Sequence, residues 1–321
     1  MEENIFKETS KTKNLACDFL RKGEIVAIKA ETVYGLVCDA SNQKSISKIY
    51  QIKKRPNFNP LIIHVNSKEM ADKIAFFNDD AVKLIKKYWP GPLTLILPKR
   101  ETKLIHDKAT AGLKTVAVRM PKSKIFLEII SLLQKPVAAP SANESGYITS
   151  TNAEHVKESF GDNLKIIIDS GKSTLGLEST IIDMTKKPYL IRRLGIITKE
   201  SILNTLGIHT VLYNTSISSN RPNSPGQLSK HYSPKTPLVL NVIKPKKNEA
   251  FLAFGKQLNK NNFTLNLSVD GNLKEAAHNL YDYLRRLDKM EKKRIVVSPI
   301  PYQGIGEAIN ERLKRASKKN D

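Results

Sequence analysis

Apolar residues recur along this chain in short runs whose spacing alternates between a helical and an extended period. The first predicted element is a helix from about Lys11 to Lys22, with Ser10 as its N-cap, Leu15, Phe19 and Leu20 on one side and Gly23 at its end. Ile25 to Ala30 reads as a strand that runs into a Thr-Val-Tyr-Gly turn at residues 32 to 35. A helix over about Lys44 to Lys54 stops at Arg55-Pro56, and Leu61 to Val65 is the next strand. Helices follow around Met70 and from Asp79 to Tyr88, before Pro90-Gly91-Pro92 interrupts the pattern ahead of the strand Leu93 to Leu97. Val116 to Arg119 and Val137 to Ala139 are two more strands, separated by a helix beginning near Ser123. A helix over about Asn152 to Phe160 leads to the strands Ile166 to Asp169, Ser179 to Met184 and Tyr189 to Arg192, and a helix near Lys199 to Leu206 closes the unit. Strands that follow one another late in this order predict a mixed sheet.

From about Ile208 to Lys235 the pattern dissolves into Asn, Ser, Pro and Gly, which predicts a linker. Beyond it, Leu238 to Val242, Ala250 to Phe254 and Ile295 to Ser298 read as strands, with helices near Glu275 to Leu287 and Glu307 to Ala316. The expected organisation is a first domain over 1–207, a linker over 208–236 and a small C-terminal α/β domain over 237–321. No repeat at a solenoid period interrupts this plan.

The 321 residues suit about two domains, and 40% hydrophobic with 26% charged residues excludes a collagen-like or wholly disordered chain. No apolar run approaches the roughly 18 residues of a membrane span. Met1 to Asn14 is charged where a signal peptide would be apolar, so a cytoplasmic protein is expected. Lys and Arg number 53 against 31 Asp and Glu, a net charge of +22. That field favours an anionic partner, although a compositional bias toward lysine, asparagine and isoleucine spread over the surface would produce it too. Cys17 and Cys38 suggest neither a zinc site nor a disulfide scaffold.

Several catalytic signatures are excluded. Gly171-Lys172-Ser173 resembles the end of a phosphate-binding loop, but Ile166 stands where its first glycine belongs. Gly304-Ile305-Gly306 is half a dinucleotide fingerprint and reads as a helix entry. The six histidines form no metal-ligand spacing, and no Gly-x-Ser-x-Gly elbow occurs. What remains is a set of polar residues at strand ends, where α/β sheets gather ligands. Thr32, Lys53, Arg55, Asn59, His64, Arg119, Ser141, Asn143 and Ser179-Thr180 are rich in cations and hydroxyls, a balance suited to an anion bound by charge-assisted hydrogen bonds. Singly, each has a plainer reading as a surface charge, a turn or a structural side chain.

The ordered motifs identify a resemblance. They are Glu31-Thr32-Val33-Tyr34-Gly35-Leu36, Lys53-Lys54-Arg55-Pro56 with Asn59-Pro60-Leu61 and His64, Trp89-Pro90-Gly91-Pro92-Leu93-Thr94 and Val116-Ala117-Val118-Arg119-Met120-Pro121. Further along come Ala139-Pro140-Ser141-Ala142-Asn143-Glu144-Ser145-Gly146, Leu177-Glu178-Ser179-Thr180-Ile181-Ile182-Asp183 and Ile191-Arg192-Arg193-Leu194-Gly195. Over nearly its full length the chain resembles the YrdC-like family, in the longer two-domain form of the threonylcarbamoyl-AMP synthases. Ser224-Pro225-Gly226 with His231-Tyr232-Ser233-Pro234, and Gly304 to Ala316, resemble parts of that longer form.

The resemblance implies an α/β fold with a YrdC-like mixed twisted sheet and flanking helices, then a linker and a small Rossmann-like domain. It implies the joining of L-threonine, bicarbonate and ATP into threonylcarbamoyl-AMP with release of pyrophosphate, for later modification of an adenosine beside the anticodon of tRNA. Carried onto matching positions, Thr32, His64, Arg119, Ala139 and Ser179 would line a threonine site, and Arg55, Asn59, Thr115, Ser141, Thr149, Arg193 and Tyr232 would hold ATP. Lys53 and Arg55 are the expected phosphate-neutralising cations and Arg119 the partner of the threonine carboxylate. Mg²⁺ is expected on phosphate oxygens and water. Tyr232 is expected to close over the nucleotide, making the linker a lid. Lys29-Ala30 and Leu194 depart from the family pattern, with Lys29 expected in solvent; Thr149 replaces a serine and keeps the hydroxyl. A rival reading is a non-catalytic RNA-binding module of the same type. The related carbamoyl-transfer proteins of hydrogenase maturation are much longer and carry zinc fingers, for which the paired cysteines are missing here. The C-terminal domain shows no catalytic constellation, but 208–321 holds twenty basic and nine acidic residues, a net +11. Contact with tRNA or with the downstream threonylcarbamoyl-transferase proteins would use that charge; the plainer alternative is that it only keeps the chain soluble.

Overall fold

The computed structural model describes residues 4–207, 209–213, 231–256 and 261–318. The first domain runs β1 (Ile5–Lys7), α1 (Ser10–Arg21), β2 (Val26–Lys29), β3 (Tyr34–Asp39), α2 (Gln43–Ile52), β4 (Ile62–His64), α3 (Lys68–Asp72), α4 (Asp79–Tyr88) and β5 (Leu93–Pro98). It continues through β6 (Thr115–Arg119), α5 (Lys124–Leu133), β7 (Val137–Ala138), α6 (Ala153–Phe160), β8 (Ile167–Asp169), β9 (Thr180–Asp183), β10 (Tyr189–Arg193), α7 (Lys199–Leu206) and β11 (Val211–Tyr213). The second domain comprises β12 (Leu238–Val239), β13 (Ala250–Ala253), β14 (Thr264–Asn266), α8 (Leu273–Asp288), β15 (Ile295–Val297) and α9 (Ile305–Ala316).

The first eleven strands form one mixed sheet, as the pattern of elements predicts, in the order β1-β8-β2-β3-β7-β4-β6-β5-β9-β10-β11. The other four are all parallel, in the order β12-β15-β13-β14. Helix starts follow side-chain capping chemistry. Asn42, Asn78 and Asn152 each accept backbone N–H bonds at the heads of α2, α4 and α6. At α1 the cap is Thr9 rather than Ser10, because Thr9 and Thr12 form a reciprocal capping box that Ser10 cannot. The fully buried Ile46 and Ile49 pin α2 to the sheet, a burial of about 1.5–3 kcal/mol per side chain.

Four strands escape the periodicity reading. Tyr34–Asp39 is a central strand antiparallel to β2, buried at every residue, so it shows no alternation; only its first residues were read, as a turn. Ile5–Lys7 and Thr264–Asn266 are three-residue edge strands, too short to carry a period. Val211–Tyr213 lies where the linker was expected to begin, yet pairs parallel with β10 and extends the first sheet.

The second domain docks through α8. Arg285, buried on that helix, donates to the carbonyls of Ile148 at 2.7 Å and Thr149 at 3.4 Å. Asp288 accepts from the backbone N–H groups of Lys235 and Thr236 and from the Tyr147 hydroxyl at 2.8 Å. The approach is close enough that a Cβ on Gly176 would stand 2.5 Å from the Ala277 carbonyl oxygen of α8. One apolar core runs from the first domain into the second.

Candidate active site

A cleft opens where β4 and β6 end, bordered by the β2–β3 bend, the loop after β7 and residues Arg55, Glu178, Arg193 and His231. Counted out to its open mouth, it holds about 590 Å³ of empty space. Thr32, Arg55, His64, Arg119, Ala139, Ser141 and Arg193 all line it, so the strand ends do converge.

At one end sits Arg119. His64 and Arg119 are register partners on neighbouring parallel strands, so their side chains leave the sheet together. Arg119 donates from Nη1 to Thr32 Oγ1 at 3.0 Å, from Nη2 to Glu31 Oε1 at 2.6 Å and from Nε to the Gly91 carbonyl at 3.1 Å. Each terminal nitrogen keeps a second N–H, a donor of the kind that carboxylates accept. Glu31 Oε2 is buried with no partner among the described residues. His64 Nδ1 lies 3.2 Å from the Ile62 carbonyl, which can only accept, so the proton sits on Nδ1 and Nε2 is an acceptor. Burial, reinforced by Arg119, holds this imidazole well below its usual range and therefore neutral.

The other end gathers more cations. Arg55 is anchored by Asn59, donating to its carbonyl at 3.1 Å and its Oδ1 at 2.6 Å, and to the Pro60 carbonyl at 2.8 Å. Arg193 donates from Nε and Nη2 to the Ser179 carbonyl at 3.0 Å and Oγ at 3.1 Å, and Ser179 Oγ also meets Thr94 Oγ1 at 2.7 Å. Among the described residues, neither Arg55 Nη1 nor Arg193 Nη1 donates to a protein group. Burial pulls the Arg55 guanidinium down to about 10, with Tyr50 opposing and Arg193 adding to the fall, so it remains charged at neutral pH. Among the described residues, Glu178 is the one acid in the cleft lining. Burial would raise its carboxyl, but Arg312 and Arg193 outweigh that and hold it at about 2.

Six expected site residues, Lys53, Asn59, Thr115, Thr149, Ser179 and Tyr232, are outside the lining; Asn59 seats Arg55, and Ser179, expected at the threonine site, seats Arg193 at the other end. Lys53 does not face the cleft as a phosphate-neutralising cation: its buried ammonium donates to the carbonyls of Ser141, at 2.5 Å, and Asn143, bracing the loop that carries Ser141. Burial, then Arg55, drives that ammonium well below its usual value. Thr115 begins β6, paired with Pro98, about 13 Å along the strand from Arg119 and outside the lining. Lys29 is not in solvent: its ammonium bonds the Ser170 carbonyl. Thr149 sits behind the wall, donating to Glu178 Oε1 at 3.0 Å. Tyr232 is buried rather than draped over an opening, stacked on Tyr281 at 5.5 Å between ring centroids. Ser224-Pro225-Gly226 and most of the expected lid lie outside the described residues.

The sequence reading missed Glu31 and Glu178 as site residues, His231 as cleft lining, and the C-terminal domain's Tyr281 and Arg312. A signal for two of them existed. Arg312 falls at the i+7, i+4 and i+3 positions of the buried Ile305, Ala308 and Ile309, and Tyr281 likewise shares the buried stripe of Ala277 and Leu284. A charged or polar residue on the apolar face of a helix announces a buried partner.

The Sua5/YciO/YrdC family model, described as telomere recombination, matches residues 18–195, and the model of the threonylcarbamoyl-AMP synthase C-terminal domain matches 197–318. The chain belongs to the threonylcarbamoyl-AMP synthase family. Within it, the chain is 36% identical to the Pyrococcus abyssi (strain GE5 / Orsay) synthase over 320 residues, covering 94% of this chain and 93% of that one. It is 35% identical to the Bacillus subtilis (strain 168) synthase, with 94% and 92% covered. The crystal structure of P. abyssi Sua5 complexed with L-threonine superposes with a TM-score of 0.90 at 33% identity, covering 98% of this chain and 96% of that one. Two-domain synthases therefore account for the whole described architecture, and they favour an enzyme over a non-catalytic RNA-binding module. Among the described residues no helix is long and apolar enough to cross a membrane.

Proposed function

We propose that this cleft binds L-threonine at Arg119 and ATP at Arg55 and Arg193, and joins them with bicarbonate into threonylcarbamoyl-AMP. The observation that carries the assignment is the cluster of three buried guanidinium groups around one cleft, each with N–H donors that no protein group takes among the described residues. The threonine carboxylate takes the second N–H groups of Arg119, and the threonine hydroxyl donates to the neutral His64 Nε2. The threonine amine attacks bicarbonate to give a carbamate with loss of water. A carbamate oxygen then attacks the α-phosphorus as the bond to pyrophosphate breaks. Arg55 and Arg193 stabilise charge on the departing pyrophosphate, so alignment and electrostatics carry the rate and no side-chain nucleophile is needed.

Mg²⁺ enters in this reading on the triphosphate. Among the described residues no three His, Cys, Asp or Glu side chains gather, and both oxygens of Glu178 are already engaged. The metal would supply charge neutralisation on the phosphates. The product's acyl phosphate is reactive toward water, so the reading places the protein in the cytoplasm with the threonylcarbamoyl-transferase proteins and the tRNA that consume it. The net charge of +22 supports contact with such polyanions.

The test is pyrophosphate release from purified protein with ATP, L-threonine, bicarbonate and Mg²⁺, each omitted in turn, beside Arg119→Ala. Release that requires threonine and bicarbonate together and vanishes in the variant upholds the reading. Release without threonine, or an unaffected variant, sinks it.

A further inference from the structure

Two side chains of the C-terminal domain reach across the domain boundary to the wall of the cleft. Glu178 Oε2 accepts from the Tyr281 hydroxyl of α8 at 2.9 Å and from Arg312 Nε of α9 at 3.2 Å. Arg312 Nη2 donates to the Leu194 carbonyl at 2.7 Å, one residue past Arg193. Its guanidinium also lies 5.4 Å from the Tyr232 ring. Arg312 and Tyr281 are almost completely buried. A buried ion pair holds two domains together no better than apolar packing of the same volume, so its place at the reaction cleft calls for another account.

The neighbours of Glu178 supply it. Ser179, the next residue, receives both engaged nitrogens of Arg193, so a shift of Glu178 moves the seat of that guanidinium. Two residues before it, Gly176 lies against the α8 backbone, and the Thr174 carbonyl lies 3.0 Å from His278 Nδ1. The segment leading into Glu178 is thus set by contacts that the C-terminal domain makes.

We propose that the C-terminal domain is a positioning element of the reaction, in which Arg312 and Tyr281 hold Glu178, and through it Ser179 and Arg193, in the geometry that receives the nucleotide. Neither residue touches reacting atoms. The threonine end meets the same loop at the Glu31 carbonyl, which accepts from the Leu175 N–H and the Thr174 hydroxyl, while the Glu31 carboxylate that holds Arg119 bonds to no residue of α8 or α9 among those described, so that end depends on those helices less. The inference rests on the synthase reading for the identity of the ligand.

The experiment uses the full chain with Tyr281→Phe, Arg312→Gln, Arg312→Lys and the rim control Lys289→Ala. Binding of MgATP and of L-threonine is titrated separately by calorimetry, and KM and kcat for pyrophosphate release are measured alongside thermal unfolding. The expected result is an ATP Kd and KM raised at least tenfold by R312Q and at least threefold by Y281F. Threonine Kd should stay within threefold, R312K should recover part of the loss, and K289A should match the parent. ATP affinity equal to the parent's in folded variants overturns the proposal. So do losses that fall equally on both ligands and track the unfolding midpoint, which would mark a merely structural interface. Should R312Q not fold, Tyr281→Phe decides the matter, since it removes one hydroxyl and keeps the ring. If the parent releases no pyrophosphate while the variants lose ATP affinity selectively, the synthase reading fails and the positioning role stands.

Discussion

The two ends of the cleft hold their arginines differently. Arg119 is fixed by Glu31, Thr32 and Gly91, all in the first domain and on segments that meet at adjacent strand ends. Arg193 rests on Ser179, whose neighbour Glu178 is in turn held by α8 and α9 of the second domain. One end is complete within a single domain; the other is completed across an interface. A guanidinium buried against its own carboxylate is preorganised as soon as the sheet forms, whereas one seated through an interdomain ion pair is ready only when the domains dock.

Removing the first anchor should have the largest effect. Arg119→Ala is expected to lower threonine-dependent pyrophosphate release about 10²–10³-fold, or about 3–4 kcal/mol, because it deletes the carboxylate partner and strands Glu31. Steady-state kinetics with varied threonine checks this, and a rise confined to the ATP KM would contradict the division between the ends.

The cross-domain end should show itself in acid. The Glu178 carboxyl is depressed from 4.5 to about 2 in the folded protein, against burial, by Arg312 and then Arg193. Its stabilisation is therefore present above pH ~4.5 and lost as pH falls from there to ~2, an order of about 3 kcal/mol at ~1.4 kcal/mol per unit. Other depressed carboxylates such as Asp80 and Asp282 titrate in the same window, so denaturant unfolding should depend on pH in both the parent and Glu178→Gln, but more steeply in the parent by about that amount.

A smaller change sharpens the role of docking alone. In Gly176→Ala the new Cβ would meet the α8 backbone at 2.5 Å at a residue whose φ is +75°, so a loss of about 1–3 kcal/mol is expected. Hydrogen exchange should show α8 loosened before the strands around Arg119. The smallest effect belongs to Lys289→Ala, which removes a solvent-exposed interdomain pair with Glu158; stability should change by less than about 1 kcal/mol in a melting curve. A large loss there would mean that the rim, and not the buried pair, carries the docking.

The legible part of the molecule follows the same division. Helices α4 and α7 were read at their observed ends, since polar caps and amphipathic periods are local signals. The residue types of the Arg119 end, Glu31 apart, were also marked by ordered motifs at strand ends. Tyr34–Asp39 was not, because a strand buried on both faces has no alternating face to display. Lys53 was misjudged for a related reason: a lysine beside Arg55 reads as a second phosphate partner until the fold shows carbonyls of Ser141 and Asn143 enclosing it. Thr115 stands at the wrong end of its strand for the cleft, and no composition or spacing reports which end of a strand faces a ligand.

The sequence by itself determined the class of fold, the mixed character of the sheet, the two-domain plan and the identity of the cationic and hydroxyl groups at the strand ends. These rest on interactions within a few residues and on ordered motifs. Only the tertiary structure decided which cations face the cleft, that Glu31 pairs with Arg119, and that Tyr281 and Arg312, more than 100 positions after Glu178, complete its wall. The physical reason is range: capping and periodicity act over one or two turns of chain, while a buried charge takes its meaning from whichever distant partner the packing brings within hydrogen-bonding distance.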